Sequence, residues 1–225
     1  GWSMGSEKKF AMMAAFLASR GYVAACISYR LWPEYGWDCA LSDGKRALAW
    51  LKKNAARFGV SENMQFFLSD GLQSIPPGAA DTIIMAGMGG DLMVRILEAA
   101  PWVCDARYTL ILQPQSAGQA LRQYLAEHGF AIEREALAKD GHFFYTVLRA
   151  KKGSMPPLSP GQQYASPQLL REGGPLLGPY LARLETALAG TVQGLQRADE
   201  PEKLCYYETA LAEIREMRKH HDDRS

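Results

Sequence analysis

Residues Asp81–Gly90 read DTIIMAGMGG, an acid and a short apolar run that empties into Gly-Met-Gly-Gly. Such a run reads as a buried strand over Asp81–Met85. The glycines after it leave no side chain in the way of whatever approaches the backbone. Val94 and Leu97 then continue with helical spacing. A strand passing through a glycine turn into a helix is half of a βαβ unit, and the same alternation recurs around it.

Phe10, Met13, Ala14, Phe16 and Leu17 make a helical face that Gly21 ends, and Tyr22–Tyr29 (YVAACISY) reads as a buried strand. A helix is expected over 42–58, with Ala47, Leu48, Leu51 and Ala55 on one face and Gly59 stopping it. Strands are expected over 64–68 and 108–112, and a helix over 119–128 closed by Gly129. Phe130–Ala138 and His142–Arg149 flank Lys-Asp-Gly, a strong hairpin signal. The expected fold is α/β: a Rossmann-like three-layer parallel sheet with an antiparallel edge hairpin, spanning 1–150.

The character changes at Lys151, where KKGSMPPLSPG reads as a linker over 151–166. Leu177, Leu181, Leu184, Leu188, Val192 and Leu195 then form a heptad-like stripe, RADEP interrupts it, and Leu204, Tyr207, Leu211 and Ile214 resume it. An antiparallel coiled-coil hairpin is therefore expected over 167–225.

Composition narrows the function classes. A formal net charge of +1 gives no sign of a polyanion partner, and no run approaches the length of a membrane span. Cys26, Cys39, Cys104 and Cys205 are dispersed with no C-x-x-C pair, which argues against zinc or a disulfide framework and favours reduced thiols in a cytoplasmic protein. No metal is expected. The chain opens at Gly1 in mid-pattern, as a piece of a longer reading frame would.

Three turns fall at the carboxyl ends of expected parallel strands, where open α/β sheets bind ligands. They are Ser69-Asp70-Gly71-Leu72, Ala86-Gly87-Met88-Gly89-Gly90 and Gln113-Pro114-Gln115. An acid there can accept from a nucleoside amino or hydroxyl group. Glycines let a flat ligand lie on the main chain, and Gln113 offers both donor and acceptor. Each has a plainer use: Asp70 can cap its own turn, and Gly89 and Gly90 can serve helix–strand packing.

From about Met64 onward the chain resembles the bacterial tRNA (adenine(22)-N(1))-methyltransferase family. The resemblance is carried by LSDGLQSIPPGAADTIIMAGMGGDLMVRILEAAPW, by YTLILQPQSAGQALRQYLAEHGFAIEREALAKDGHFFYTVLRA and by LLREGGPLLGPYLARL. That family is class I and S-adenosylmethionine-dependent, with a C-terminal helical domain that helps hold tRNA. The resemblance implies S-adenosylmethionine as cofactor and tRNA as partner. It places Asp70, Gly71 and Leu72 at the cofactor's adenine, and Ala86 and Gly87 beside the methyl donor. Met88, Gly89, Gly90, Gln113 and Pro114 would lie at the target base. The implied reaction is in-line methyl transfer to N1 of an unpaired adenine, with a base taking the proton. No residue is assigned as that base.

Residues 1–61 depart from the pattern. The family should open with a strand and an acidic, glycine-containing turn resembling GTDHAYLP, which holds the methionine part of the cofactor; nothing here matches it. Instead GWSMGSEKKF, RGYVAACISYRLWPE and ALSDGKRALAWLKKNAARFGV resemble an α/β-hydrolase of lipase/esterase type. The G-x-S-x-G elbow of that family is missing too. The chain thus looks like a chimera joined near Ser61. Three functions follow as expectations: a methyltransferase impaired in cofactor binding, a carboxylic-ester hydrolase fragment, or a non-catalytic tRNA-binding chimera.

Overall fold

The computed structural model describes residue 34 and residues 37–63, 65, 67, 69–198 and 200–223. The expected helix before Gly21 and the strand 22–29 lie outside the described residues. The chain divides into two compact units, Gly1–Leu68 and Ser69–Ser225. The partition expected at 150–166 falls inside the second.

In the first unit, α1 spans Trp37–Asn54, beginning five residues before Ser42. A 3₁₀ turn, Ala56–Phe58, ends at Gly59, whose φ of 68° explains why glycine stands there. Ala55 is buried and Ala47 and Leu51 are half-buried, but Leu48, expected on the same face, is 54% exposed. At Gln65 and Phe67 there is neither helix nor strand, so the strand expected over 64–68 is not formed at its described positions. An apolar run needs a ladder partner to become a strand.

The second unit contains a four-stranded sheet. Its strands are β1 (Thr82–Met88), β2 (Thr109–Pro114), β3 (Phe130–Asp140) and β4 (Phe143–Lys152), in the order β1-β2-β4-β3. β1 and β2 are parallel, and β4 is antiparallel to both β2 and β3. The hairpin therefore inserts its second strand beside β2 and leaves β3 at the edge. Its two-residue loop is Gly141-His142, one position beyond the expected Asp-Gly, with Gly141 at φ 57° as a primed turn requires.

Helix α2 (Gly90–Glu98) follows β1, and α3 (Gly118–Glu127) follows β2. Met93 and Leu97 of α2 and Leu121 and Leu125 of α3 close over Ile83, Met85, Leu110, Leu112, Phe130 and Leu148 in one apolar cluster. Each such side chain contributes roughly 1.5–3 kcal/mol on burial. Alternation along β1 leaves Ile84 on the opposite face, 69% exposed.

The stretch expected as a linker is built structure. β4 continues to Lys152, and α4 (Pro160–Tyr164) carries a complete capping box between Ser159 and Gln162. Ser166 caps α5 (Pro167–Glu172). Helices α6 (Leu177–Leu195) and α7 (Pro201–Asp222) run antiparallel, as expected, with Leu177, Leu181, Leu188, Val192, Leu211 and Ile214 buried between them and α5. Gly161 N–H and the Ser159 hydroxyl both donate to Glu213 of α7, fastening α4 to the helical pair.

One buried ion pair joins the sheet layer to these helices. Arg122 of α3 (2% exposed) is paired with Glu135 of β3 (0% exposed). Arg122 Nη1 also donates to the Gln163 carbonyl at 3.0 Å, and the Ser166 hydroxyl donates to Glu135 Oε2. Burial opposes the guanidinium charge, but the facing Glu135 and Tyr180 oxygens hold its pKa above the ordinary value. Glu135→Ala should cost about 3–5 kcal/mol in denaturant unfolding, because it strands a buried charge. Removing the exposed partner of Glu172 with Arg134→Ala should cost under about 1 kcal/mol.

On the outer face of the helical pair, Glu185 accepts from Arg215 at 3.0 Å and Arg218 at 2.8 Å, and these bonds hold its carboxyl below the usual range. A depressed carboxylate stabilises the fold above its unfolded-state pKa of about 4.3, and that contribution disappears as pH falls through the lower folded value. Thermal melts from pH 6 down to pH 3 should therefore show an acid-side loss of stability that is smaller in Glu185→Gln.

Candidate functional site

The expected site residues fall into two groups. The first is the turn after Ser69, which is closed by Gln73 N–H donating to the Asp70 carbonyl at 3.3 Å and Ser74 N–H donating to Ser69 Oγ at 2.9 Å. Gly71 sits at φ 57°, and a Cβ there would meet Ile96 of α2 at 2.9 Å. Gly71 thus packs the turn onto α2, Leu72 joins the sheet core, and the Asp70 side chain is left exposed.

The second group is the paired ends of β1 and β2. The strand expected to stop at Met85 runs on to Met88, so Ala86-Gly87-Met88 is strand with an irregular register rather than a free turn. Gly87 takes φ 78°, and its N–H donates to Gln113 Oε1 at 2.9 Å. Gln113 and Pro114 likewise belong to β2. Beyond them, Gln115 N–H donates to the Met88 carbonyl at 2.9 Å and Gly90 N–H to the Ser116 carbonyl at 2.7 Å. These bonds bring Ala86–Gly90 against Gln113–Ala117. No hydrogen bond joins Asp70–Leu72 to either stretch among the described residues.

The glycines have different reasons to be there. A Cβ on Gly90 would lie 2.2 Å from the Ala117 carbonyl oxygen, and one on Gly89 would lie 3.0 Å from Ser116 Oγ. Ala117 itself is held at φ 50°, in the left-handed region that alanine rarely occupies. The close approach to Gly90 is therefore made by the chain's own next loop. Gly87 is required by its dihedral, and a Cβ there would meet only Gln115 Nε2 at 3.8 Å. Ala86 and Gly87 remain exposed, an open backbone surface at the strand ends.

Next to this surface lies a cavity of about 240 Å³, lined by Pro114, Gln115, Ser116 and Gln119 on one side and by Phe144, Thr146, Tyr164, Tyr180 and Leu184 on the other. Arg122, already paired, also lines it. Tyr180 donates to the Tyr164 carbonyl at 3.1 Å. Burial pushes both phenols up, far so for Tyr164, so neither ionises at neutral pH. Of the cavity-lining residues, sequence reading had placed only Pro114 and Gln115 in a strand-end turn. The missed signal was Arg122, a charge set between Leu121 and Leu125 on the apolar face of its helix. Among the described residues no group of three His, Cys, Asp or Glu side chains could hold a metal ion. No helix there is long and apolar enough to cross a membrane.

Residues 39–148 match a family described as methyltransferase domain, and residues 1–68 match one described as BD-FAE. The tRNA (adenine(22)-N(1))-methyltransferase of Bacillus subtilis is 31% identical over 137 residues, covering 61% of this chain and 55% of that protein. The chain spans about half the length of the curated relatives it matches. A solved Streptococcus pneumoniae protein assigned as a tRNA (m1A22) methyltransferase is 28% identical, with a TM-score of 0.64 over 79% of this chain and 78% of that one. The chain is methyltransferase-like. Its sheet and helical pair have the Rossmann-like arrangement of those neighbours, and the S-adenosylmethionine complex of the S. pneumoniae protein matches 74% of it with a TM-score of 0.56.

The Gly90 contact generates a direct test. Gly90→Ala should lower the thermal midpoint by several degrees or prevent folding, since the Ala117 carbonyl cannot yield without moving the strand-end loop. Gly190→Ala, in an open helical position of α6, should raise stability by about 1 kcal/mol in the same assay.

Proposed function

We propose that this chain is built as an S-adenosylmethionine-dependent tRNA adenine-N1 methyltransferase whose grip on the cofactor is impaired. The observation that carries the reading is the pair of strand ends tied by Gly87 and Gln113, in a chain that overlays the S. pneumoniae complex with S-adenosylmethionine across three quarters of both. The exposed Asp70 would accept from the adenosine end, and the open backbone at Ala86 and Gly87 would lie beside the sulfonium. Gln113 and Pro114 would border the target base together with Met88, Gly89 and Gly90. S-adenosylmethionine, when bound, supplies the electrophilic methyl. The chain's own part is to orient an unpaired adenine and keep water out. A cytoplasmic setting suits a tRNA substrate and dispersed, unbridged cysteines.

The residues fit only half of the cofactor. No acidic, glycine-containing turn of the GTDHAYLP kind occurs in residues 1–61, so on this reading the methionine end lacks the turn that would hold it. A second reading, a chimera with a hydrolase-like front, is favoured by one coincidence. The BD-FAE match ends at residue 68, where the first compact unit also ends. With no G-x-S-x-G elbow present, that front should show no serine-dependent ester hydrolysis.

Calorimetry separates these possibilities. S-adenosylmethionine and adenosine should bind with similar, weak affinity, because only the adenosine end is held. A hundredfold preference for S-adenosylmethionine would overturn the impairment and instate a competent enzyme.

A further inference from the structure

The cavity beside Pro114 shares only that residue with the assignments above, and its chemistry is specific. At about 240 Å³ it falls below the ~300 Å³ at which drug-sized ligands begin to fit, so it suits one ring system rather than a whole nucleoside cofactor. Three aromatic residues line it; of these, the Phe144 and Tyr180 rings have centroids 5.9 Å apart and planes inclined at 57°. On the opposite wall the Gln115, Ser116 and Gln119 side chains make no hydrogen bond among the described residues, so their donors and acceptors are available to an occupant. The cation at the cavity is committed elsewhere. Arg122 is paired with Glu135 and also donates to the Gln163 carbonyl. A phosphate would find no free positive charge here, whereas a neutral, flat ring with a hydrogen-bonding edge would find both stacking faces and amide partners.

We propose that this cavity receives an unpaired purine base of the RNA, stacked on one face of the tilted Phe144–Tyr180 pair and read at its edge by Gln119. The proposal rests on the RNA-substrate reading above. It makes the helical region a wall of the base site, through Tyr164 of α4 and Tyr180 of α6, and not only a support for the sheet. A glutamine amide can bond an adenine edge through two atoms at once, which favours adenine over a base lacking that donor–acceptor pair.

The probe is a short RNA hairpin bearing one unpaired 2-aminopurine, titrated with the full chain. Its fluorescence should fall as the base stacks, while free 2-aminopurine riboside at equal concentration should show little change. Gln119→Ala should weaken the RNA titration about tenfold, the effect of losing roughly 1.4 kcal/mol. Leu184→Trp, which fills the cavity, should abolish the quench, with circular dichroism checking that it folds. An unquenched probe, or a Gln119→Ala variant that binds like wild type, would overturn the proposal. Equal binding of the free riboside would overturn its assignment to RNA. Calorimetry with S-adenosylmethionine fails or succeeds separately: a quench without cofactor binding sinks only the methyl-donor reading, and cofactor binding without a quench sinks only this one.

Discussion

The Arg122–Glu135 pair sets the relation between the sheet and the C-terminal helices. Both side chains are buried, so each depends on the other and on the Gln163 carbonyl and Ser166 hydroxyl for its hydrogen bonds. Those partners belong to the segment between sheet and helical hairpin, which is why that segment cannot be slack. A drift of α4 or α5 by even a few ångströms would leave a buried carboxylate short of a donor. The same pair places Tyr164 and Tyr180 across from the end of β2, so the shape of the cavity follows from an electrostatic requirement in the core.

A second dependence runs through the strand ends. Gly90 must be glycine because the loop 115–117 crosses it, and Gly87 because of its backbone angle. The loop is locked in turn by bonds to the Met88 and Gly90 backbones. Ala117, in a conformation alanine disfavours, carries the local strain of this crossing. Rigidity at these positions leaves Ala86 and Gly87 as the open part of the edge. A preorganised backbone surface of this kind orients a ligand with little ordering cost at binding.

Much of this architecture was legible in the sequence because period and punctuation agreed. β1, β2, the hairpin, the helix before Gly129 and the paired stripe of Leu177–Ile214 each combine a clean apolar period with a glycine or proline stop. The failures have separate physical causes. Pro and Gly in 151–166 suggested slack chain, yet Pro at the first helical position and a serine cap are also how short helices begin. Glu135 faces inward only because the register shifts between Ile132 and Arg134, and an irregularity in a ladder has no signature in composition. The cavity escaped notice for a different reason: its walls come from residues over sixty positions apart, joined through a salt bridge that sequence spacing cannot reveal.

The first unit presents a different kind of problem, since the two family likenesses overlap over residues 39–68. Both resemblances lead to the expectation of a helix here, and α1 supplies one. A helix that satisfies either sheet carries little information about which one it was shaped for. What distinguishes the families is the chemistry of the turns on either side: an acidic glycine turn for one and a serine elbow for the other. Neither turn is in the sequence, while the downstream half retains Asp70, the Gly87–Gln113 bond and a closed core. Sheet, helices and the Gly87–Gln113 bond form without either turn, so packing alone does not select between the two chemistries.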